Sequence, residues 1–105
     1  MKSWKISFAD EAKKDHAAFD ISVRNQVNKA IRKVSQNPLP KSEGGYGEPL
    51  GNKRGRNLTG LFKIKLKKLG IRVVYRLIRT DEMMKIIVVA ARADDEVYEI
   101  AAKRI

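Results

Sequence analysis

The chain has 105 residues, of which 33% are charged and 43% hydrophobic, a composition that fits one folded domain and excludes global disorder. It contains no cysteine, which excludes disulfides, thiolate metal sites and a cysteine nucleophile. The 23 Lys and Arg outnumber the 12 Asp and Glu and give a net charge of +11, so we expect an anionic partner, nucleic acid first and an acidic protein second. No stretch has the length of a signal peptide core or a membrane span, which predicts a cytoplasmic protein with no membrane partner.

The amino-terminal residues predict a short strand followed by a short helix. Trp4, Ile6 and Phe8 alternate with polar residues, as in a strand that buries one face. Asp10 follows in a position to cap a helix that runs to about Ala18. The apolar sides of both elements would then face the same core.

The second helix has the most regular pattern in the chain. Asp20 or Ser22 is placed to cap it, and Asn37-Pro38 ends it. Its apolar residues recur at three- and four-residue spacing and form one stripe, which consists of Val23, Val27, Ala30, Ile31 and Val34. Two consecutive helices with a short joint predict a helical hairpin that lies on a sheet.

Residues 38–57 differ in kind from the rest, because they are rich in Gly, Pro and basic side chains. A segment of that length without regular structure is uncommon in a small domain unless it is functional or mobile. We therefore expect a long basic loop that either follows the phosphates of a nucleic acid or is only a flexible connection.

From residue 61 the pattern changes to that of strands. Phe62, Ile64 and Leu66 alternate with lysines, so the three apolar side chains must face the core and the lysines must face outwards. Leu69-Gly70 then marks a hairpin turn. This part of the chain predicts the start of an antiparallel sheet.

Two further strands and a helix complete the chain. Residues 71–79 are β-branched and alternating, and residues 84–91 are almost continuously apolar, which predicts a central strand buried on both faces. Asp94 or Asp95 is placed to cap a last helix over residues 96–103. The order β-α-α-loop-β-β-β-α predicts a single α+β domain over residues 1–105, with an antiparallel sheet and the two-helix hairpin packed on one face.

Basic side chains converge on one face of this predicted sheet. Alternate residues on a strand are roughly 6.5–7 Å apart, close to the spacing of phosphates along a nucleic acid strand. The outward cations of the three carboxy-terminal strands are Lys63, Lys65, Lys67, Arg72, Arg76 and Arg92. An ordinary solvated sheet face has the same pattern, so the pattern alone leaves both interpretations open.

Few other residues in the sequence suggest a catalytic, metal or cofactor site. The one histidine, His16, has no second His or Cys with which to share a metal, so we expect neither a metal nor a cofactor. The glycine-rich stretch at Gly44, Gly45 and Gly47 is not a dinucleotide-binding fingerprint, because no strand precedes it and no helix follows it. Tyr46, within this stretch, is the one obvious exposed aromatic residue. Tyr98 follows Asp94 by one helical turn, where a tyrosine is more often a packing residue than a catalyst.

Several of these segments together resemble RelE-type toxins of the RelE/ParE superfamily. The similarity covers nearly the whole chain and is densest over residues 58–105. The segments that carry it are 8–14 (FADEAKK), 37–38 (NP), 63–66 (KIKL), 70–76 (GIRVVYR), Arg92, 96–98 (EVY) and 102–105 (AKRI).

The resemblance implies the toxin of a type II toxin–antitoxin system, an endoribonuclease that cuts mRNA in the ribosomal A site and inhibits translation. It implies a cognate antitoxin, mRNA and the bacterial ribosome (the 30S A site) as partners, and no cofactor. Residue by residue, the catalytic positions implied are Lys63, Lys65, Arg72, Arg92 and Tyr98. For contacts to RNA or the ribosome we further expect the neighbouring cations Lys53, Arg54, Arg56, Lys67, Lys68 and Arg76.

These residue types suit cleavage by attack of a 2′-hydroxyl on the adjacent phosphorus. Arg72 and Arg92 suit the charged phosphorane, because guanidinium stays protonated and offers a planar fork. Crowded cations favour a tyrosinate and disfavour an ammonium, so that Lys63, Lys65 and Tyr98 all remain candidates for the general base.

Three alternatives remain open. A ParE-like poison of DNA gyrase shares the fold but would not need Lys63, Lys65 and Tyr98 as a set, and their joint presence favours RelE. A non-catalytic RNA-binding module would tolerate loss of the Tyr98 hydroxyl and would display exposed aromatics for stacking, of which Tyr46 is the one obvious candidate. An inactive, degenerate toxin is the third alternative, and the five mapped positions give it no support.

Overall fold

The structure is a computed structural model that describes residues 3–53 and 56–105. These residues form three α-helices, five strands and two short 3-10 turns. In chain order the elements are β1 (Lys5–Phe8), α1 (Asp10–Ala17), α2 (Ile21–Ser35), a 3-10 turn (Lys41–Glu43), β2 (Glu48–Lys53), β3 (Arg56–Leu66), β4 (Ile71–Ile78), a second 3-10 turn (Arg79–Asp81), β5 (Met83–Ala90) and α3 (Asp94–Arg104). The predicted α+β class is confirmed.

The five strands form one sheet in the order β1-β5-β4-β3-β2. The pairs β2–β3, β3–β4 and β4–β5 are antiparallel, as predicted, whereas β1 lies parallel to β5 with Ile6 opposite Met84. The sheet is therefore mixed. The expectation of a wholly antiparallel sheet was wrong at this edge, because the helical hairpin carries the chain away from β1 and the last strand of the meander returns beside it.

Helix starts follow the predicted positions to within two residues, the largest difference being at α3, which begins at Asp94 and not at residue 96. Asp20 caps α2 and accepts a hydrogen bond from the backbone of its first turn. In α1 and α3 the cap is instead the alanine just before Asp10 and Asp94, so the capping roles predicted for Asp10 and for Asp94 or Asp95 were wrong. These carboxylates lie in the first turn, where the helix dipole still favours negative charge.

Apolar side chains pack on both faces of the sheet. The α1–α2 hairpin covers one face, where its buried residues meet Phe62, Val73, Tyr75 and others of the sheet. Helix α3 covers part of the opposite face, where its buried Val97 meets residues of β3, β4 and β5. Strand β5 contributes to both clusters, which confirms the predicted central strand buried on both faces.

Residues 38–57 are not one loop. A 3-10 turn, strand β2 and the first residues of β3 lie within this range, so the predicted long loop was wrong. Strand β2 is at the edge of the sheet, where Pro and Gly are tolerated, and Gly51 adopts a positive φ of 61° beside an irregularity in the β2–β3 register. Leu50 and Leu58 are buried and hold this hairpin against the α3 side of the sheet.

Candidate functional site

Strand alternation brings the predicted catalytic cations to the face that α3 only partly covers. Lys63 and Lys65 follow buried Leu61 at two-residue steps on β3, so all three side chains share one face. Arg72 pairs with Lys65 across the β3–β4 register. The first turns of α3 lie over this group and bring Tyr98 to it.

The closest contact in the group joins Lys63 and Tyr98. The Lys63 Nζ donates a hydrogen bond of 3.1 Å to the Tyr98 hydroxyl and lies 5.9 Å from the centre of its ring. Tyr98 is buried, with only 6% of its surface exposed, while 20% of the Lys63 side chain is exposed. Two residues separated by 35 positions thus form one pair of titratable groups at the surface of the sheet.

A carboxylate lies among these cations. Arg72 donates through Nε to Asp94 Oδ1, and Lys63 Nζ lies 4.0 Å from Asp94 Oδ2. Sequence reasoning assigned Asp94 only a helix cap and missed this role. Its position one helical turn before Tyr98 was the one available signal, because that spacing places both side chains on the same side of the helix.

The Asp94 carboxylate affects the pKa of Lys63, and the neighbouring cations affect the pKa of Asp94 in turn. Burial alone would lower the pKa of Lys63, but the hydrogen bond and electrostatic attraction to Tyr98, with the charges of Asp94 and Glu48, outweigh burial and raise that pKa above its usual value. Burial would likewise raise the pKa of Asp94, but the hydrogen bond from Arg72 and the nearby cations lower it. For Lys63 the predicted weakening of the ammonium was therefore wrong, because acidic groups lie among the cations.

Arg92 contributes to the site mainly through its backbone. Its carbonyl oxygen accepts a hydrogen bond of 2.9 Å from Arg72 Nη1, which helps to orient that guanidinium. Its own guanidinium extends along α3 and pairs with Glu96 at 3.2 Å on the exposed surface. In this structure Arg92 therefore borders the site formed by Lys63, Arg72 and Tyr98.

The remaining predicted contacts to RNA are spread more widely. Lys67 lines the same cavity as Lys63 and Lys65, whereas Lys68 lies beside it in a groove against α2. Arg76 lies near Ile105, at the other end of α3 from the site.

Two of the predicted basic residues lie at one end of the β2–β3 ladder. Lys53 and Arg56 pair with each other at the end of the β2–β3 ladder, which is the far end of β3 from Lys63. Arg54 lies outside the described residues. These three positions stay a prediction.

His16 makes packing and hydrogen-bonding contacts with residues of neighbouring elements. Its Nε2 lies 2.8 Å from Asn28 Oδ1, and its ring packs against Phe8 with the two centres 5.3 Å apart. Within residues 3–53 and 56–105, no three His, Asp or Glu side chains are grouped so that they could hold a metal ion. Nor is any described helix long and apolar enough to span a bilayer.

Comparison with known proteins identifies chains that are similar over almost their whole length. The mRNA interferase toxin RelE of Escherichia coli K12 is 31% identical over 100 residues, which cover 95% of either chain. A RelE-like toxin protein of Escherichia coli is 26% identical over 102 residues and 96% of either chain. No family model matches the sequence.

Solved structures show the same relationship. A mutant of Escherichia coli toxin RelE in the free state superposes with a TM-score of 0.74 at 28% identity, and 99% of either chain is covered. A mutant of the same toxin in complex with an antitoxin peptide has a TM-score of 0.70 at 27% identity over 99% of both chains. The fold agrees with that of these toxins, the similarity covers almost the whole chain, and one member is more than 30% identical. The chain therefore belongs to the RelE family of toxins.

Proposed function

We propose that this chain is the toxin of a type II toxin–antitoxin system and that it cleaves mRNA in the A site of the bacterial ribosome. The contact between Lys63 Nζ and the Tyr98 hydroxyl carries the proposal, because it joins an ammonium to a phenol oxygen beside the Arg72 guanidinium, with Asp94 next to both cations. Its relatives are named mRNA interferases, which supports the same reaction here.

The raised pKa of Lys63 narrows the choice of general base. An ammonium that keeps its proton does not take the proton of the 2′-hydroxyl. We therefore assign that step to Tyr98 in its phenolate form, whose oxygen accepts the hydrogen bond from Lys63. The Lys63 ammonium stabilises the negative charge of the phenolate oxygen until that oxygen takes the 2′-proton. Lys63 is a catalytic residue in this scheme through charge rather than as a base.

The neighbouring cations suit the phosphate. Lys65 and Arg72 face one another across two strands, and a guanidinium fork matches two phosphoryl oxygens of the developing phosphorane. Arg72 is held by Asp94 in the free protein, so the substrate phosphate must compete with this carboxylate. Arg92 at the border of the site would reach the same phosphate after leaving Glu96.

The open shape of the site supports a dependence on the ribosome. Lys63 and Lys65 line a cavity that is open to solvent, and Arg72 lies beside Lys65, so the protein offers few contacts that would hold a flexible RNA in line for attack. Placing the reactants correctly is worth several kcal/mol, on the order of 7–11 in favourable cases. A ribosome that holds the mRNA codon in a fixed conformation would supply that positioning.

We also propose a cognate antitoxin as the resting partner. A similar toxin has been solved with an antitoxin peptide, and the net charge of +11 favours an acidic segment that orders on binding. Such a segment would neutralise the cationic face while it covers the site.

Cleavage of a defined mRNA by the purified protein tests the proposal, with and without programmed bacterial ribosomes and with the cut mapped by primer extension. We expect cuts within the A-site codon only when ribosomes are present. Arg72→Ala should abolish them, and Lys13→Ala on the exposed side of α1 should not. Absence of cleavage under both conditions, with inhibition of gyrase supercoiling instead, would overturn the proposal in favour of a gyrase poison.

A further inference from the structure

Tyr46 is an exposed aromatic residue beside the proposed catalytic group. It is 49% exposed and lies in the segment between the first 3-10 turn and β2. Together with Lys63, Lys65 and Lys67 it lines a cavity of about 380 Å³ that is open to solvent. That volume lies within the roughly 300–1,000 Å³ of pockets that bind small ligands, so one nucleotide fits.

The backbone around Tyr46 is held firmly in place. The Tyr46 amide donates to the Asn37 carbonyl at 2.9 Å, which joins it to the end of α2. On either side of it, a Cβ at Gly45 would lie 2.1 Å from the Leu39 carbonyl oxygen, and one at Gly47 would lie 2.7 Å from that of Pro38. Only glycine permits this close backbone packing, so the loop presents Tyr46 in one position.

The sheet itself supports this loop. The hydroxyl of Tyr75, a fully buried residue of β4, donates a hydrogen bond of 2.9 Å to the Pro38 carbonyl. At the outer side Arg79 forms two hydrogen bonds with Glu43, at 3.1 and 2.9 Å. A core hydrogen bond and a surface ion pair therefore tie the loop to β4 and to the turn that follows it.

The ring of Tyr46 also has an oriented partner. Lys33 of α2 places its Nζ 6.0 Å from the ring centre, at the limit of a cation–π contact. The ammonium lies over one face of the ring, so a second flat group would stack on the opposite face. An exposed aromatic that is held in this way has the properties of a stacking platform.

We propose that Tyr46 stacks a nucleobase of single-stranded RNA next to the scissile phosphate. This inference rests on the proposed function and adds to it a binding subsite on the chain itself. Single-stranded RNA is recognised by stacking of unpaired bases on aromatic rings while cations follow its backbone. Here Lys65 and Lys67 would follow the phosphates, and Tyr46 would receive the adjacent base.

The acidic residue in the cavity favours a base over a phosphate at this position. Glu48 lines the cavity with Tyr46 and lies opposite Lys63 in the β2–β3 register. Its carboxylate repels phosphate, but it accepts hydrogen bonds such as those from the amino group of adenine, cytosine or guanine. The cavity thus combines an aromatic face, one acceptor and a cationic border.

A kinetic comparison of Tyr46→Phe and Tyr46→Ala tests the stacking. With programmed ribosomes, Tyr46→Phe should keep the wild-type KM, whereas Tyr46→Ala should raise KM by roughly 5- to 100-fold with kcat little changed, the effect of losing one base–aromatic stack. Ile21→Ala, which removes another exposed apolar side chain at the opposite end of α2, should leave both constants unchanged. A KM within twofold of wild type for Tyr46→Ala would overturn the proposal.

A second measurement separates this inference from the proposed function. RNA that carries 2′-deoxy-5-iodocytidine at the A-site codon is not cut there, and irradiation crosslinks iodocytosine, which keeps the amino group, to a stacked aromatic ring. We expect a crosslinked peptide that contains Tyr46 in the wild type and none in Tyr46→Ala. If the wild type cuts mRNA but gives no such crosslink, stacking is wrong and the ribonuclease stands. A crosslink without any cleavage would retain the subsite and reject the nuclease.

Discussion

The guanidinium of Arg104, near the end of α3, donates hydrogen bonds of 2.7 and 3.2 Å to the two carboxylate oxygens of Asp15 on α1. The same Asp15 accepts from the Val89 amide, and Arg104 also donates to the Ile87 carbonyl. Strand β1 pairs with β5 only as far as Ile86, so these contacts satisfy the edge of β5 where β1 has ended. They also hold the helix that carries Tyr98 in its place on the sheet.

Arg104→Met should therefore destabilise the fold. The change keeps much of the aliphatic stem but leaves the half-buried Asp15 with one donor and the Ile87 carbonyl without its guanidinium. We expect the free energy of unfolding in urea to fall by about 1–3 kcal/mol. Lys103→Met, which affects an exposed pair with Glu99, should change it by less than about 0.5 kcal/mol. Equal values for the two variants would show that the contact with Asp15 does not stabilise α3.

Tyr98→Phe should remove catalysis while it leaves the fold intact. The phenyl ring keeps the packing of Tyr98 against the α3-side core, but it has no oxygen to accept a hydrogen bond from Lys63 or the 2′-proton. We expect kcat on programmed ribosomes to fall by roughly 10²- to 10⁴-fold. Circular dichroism and urea unfolding monitor the fold. A wild-type kcat in a folded variant would remove Tyr98 from the mechanism.

Asp94→Asn should shift the pH dependence of cleavage. The Asp94 charge is one of the causes that raise the pKa of Lys63, so its removal lowers that pKa. If the Lys63 ammonium is needed, activity is lost as pH rises through that pKa, and the alkaline limb of kcat should move to lower pH. Glu99→Gln, an exposed carboxylate on the same helix, should leave the limb in place. If the alkaline limb of kcat does not move in Asp94→Asn, the role assigned to the Lys63 ammonium is contradicted.

The same substitution has a consequence for acid stability. The pKa of Asp94 is lowered in the folded chain. Its ion pair with Arg72 therefore stabilises the fold at pH values above 3.8, the ordinary pKa of an aspartate, and this stabilisation is lost as the pH falls below 3.8 and through the lowered pKa. The difference between wild type and Asp94→Asn in the urea concentration at the midpoint of unfolding should accordingly shrink towards pH 3. A difference that stays constant with pH would show that the ion pair adds no stability.

Binding to ribosomes should weaken steeply with salt. The surface around Lys65 is cationic, and each phosphate contact releases counterions. Lys65→Ala should reduce the slope of log K against log salt by about one, whereas Lys13→Ala on α1 should leave it unchanged. Fluorescence anisotropy of the labelled protein at several salt concentrations measures both slopes. A flat response in the wild type would argue against a phosphate-binding surface.

Periodic patterns predicted the elements that bury one side. The apolar stripe of α2 and the alternation of Phe62 with Lys63 each follow from a repeat that local geometry imposes, so their faces could be assigned without knowing their neighbours. Strand β2 could not be recognised in this way. Its Gly and Pro are typical of loops, and only its place at the edge of the sheet makes them compatible with a strand.

The sequence by itself determined the fold class, the charge and, through resemblance, the residue types at Lys63, Arg72 and Tyr98. It did so because periodicity and composition are local properties that are present in the unfolded chain. Only the tertiary structure decided that Asp94 lies among these cations, that the pKa of Lys63 is raised, and that Tyr46 borders the same cavity. Those relationships join residues on different elements, so they exist only after the sheet has formed and α3 has packed on it.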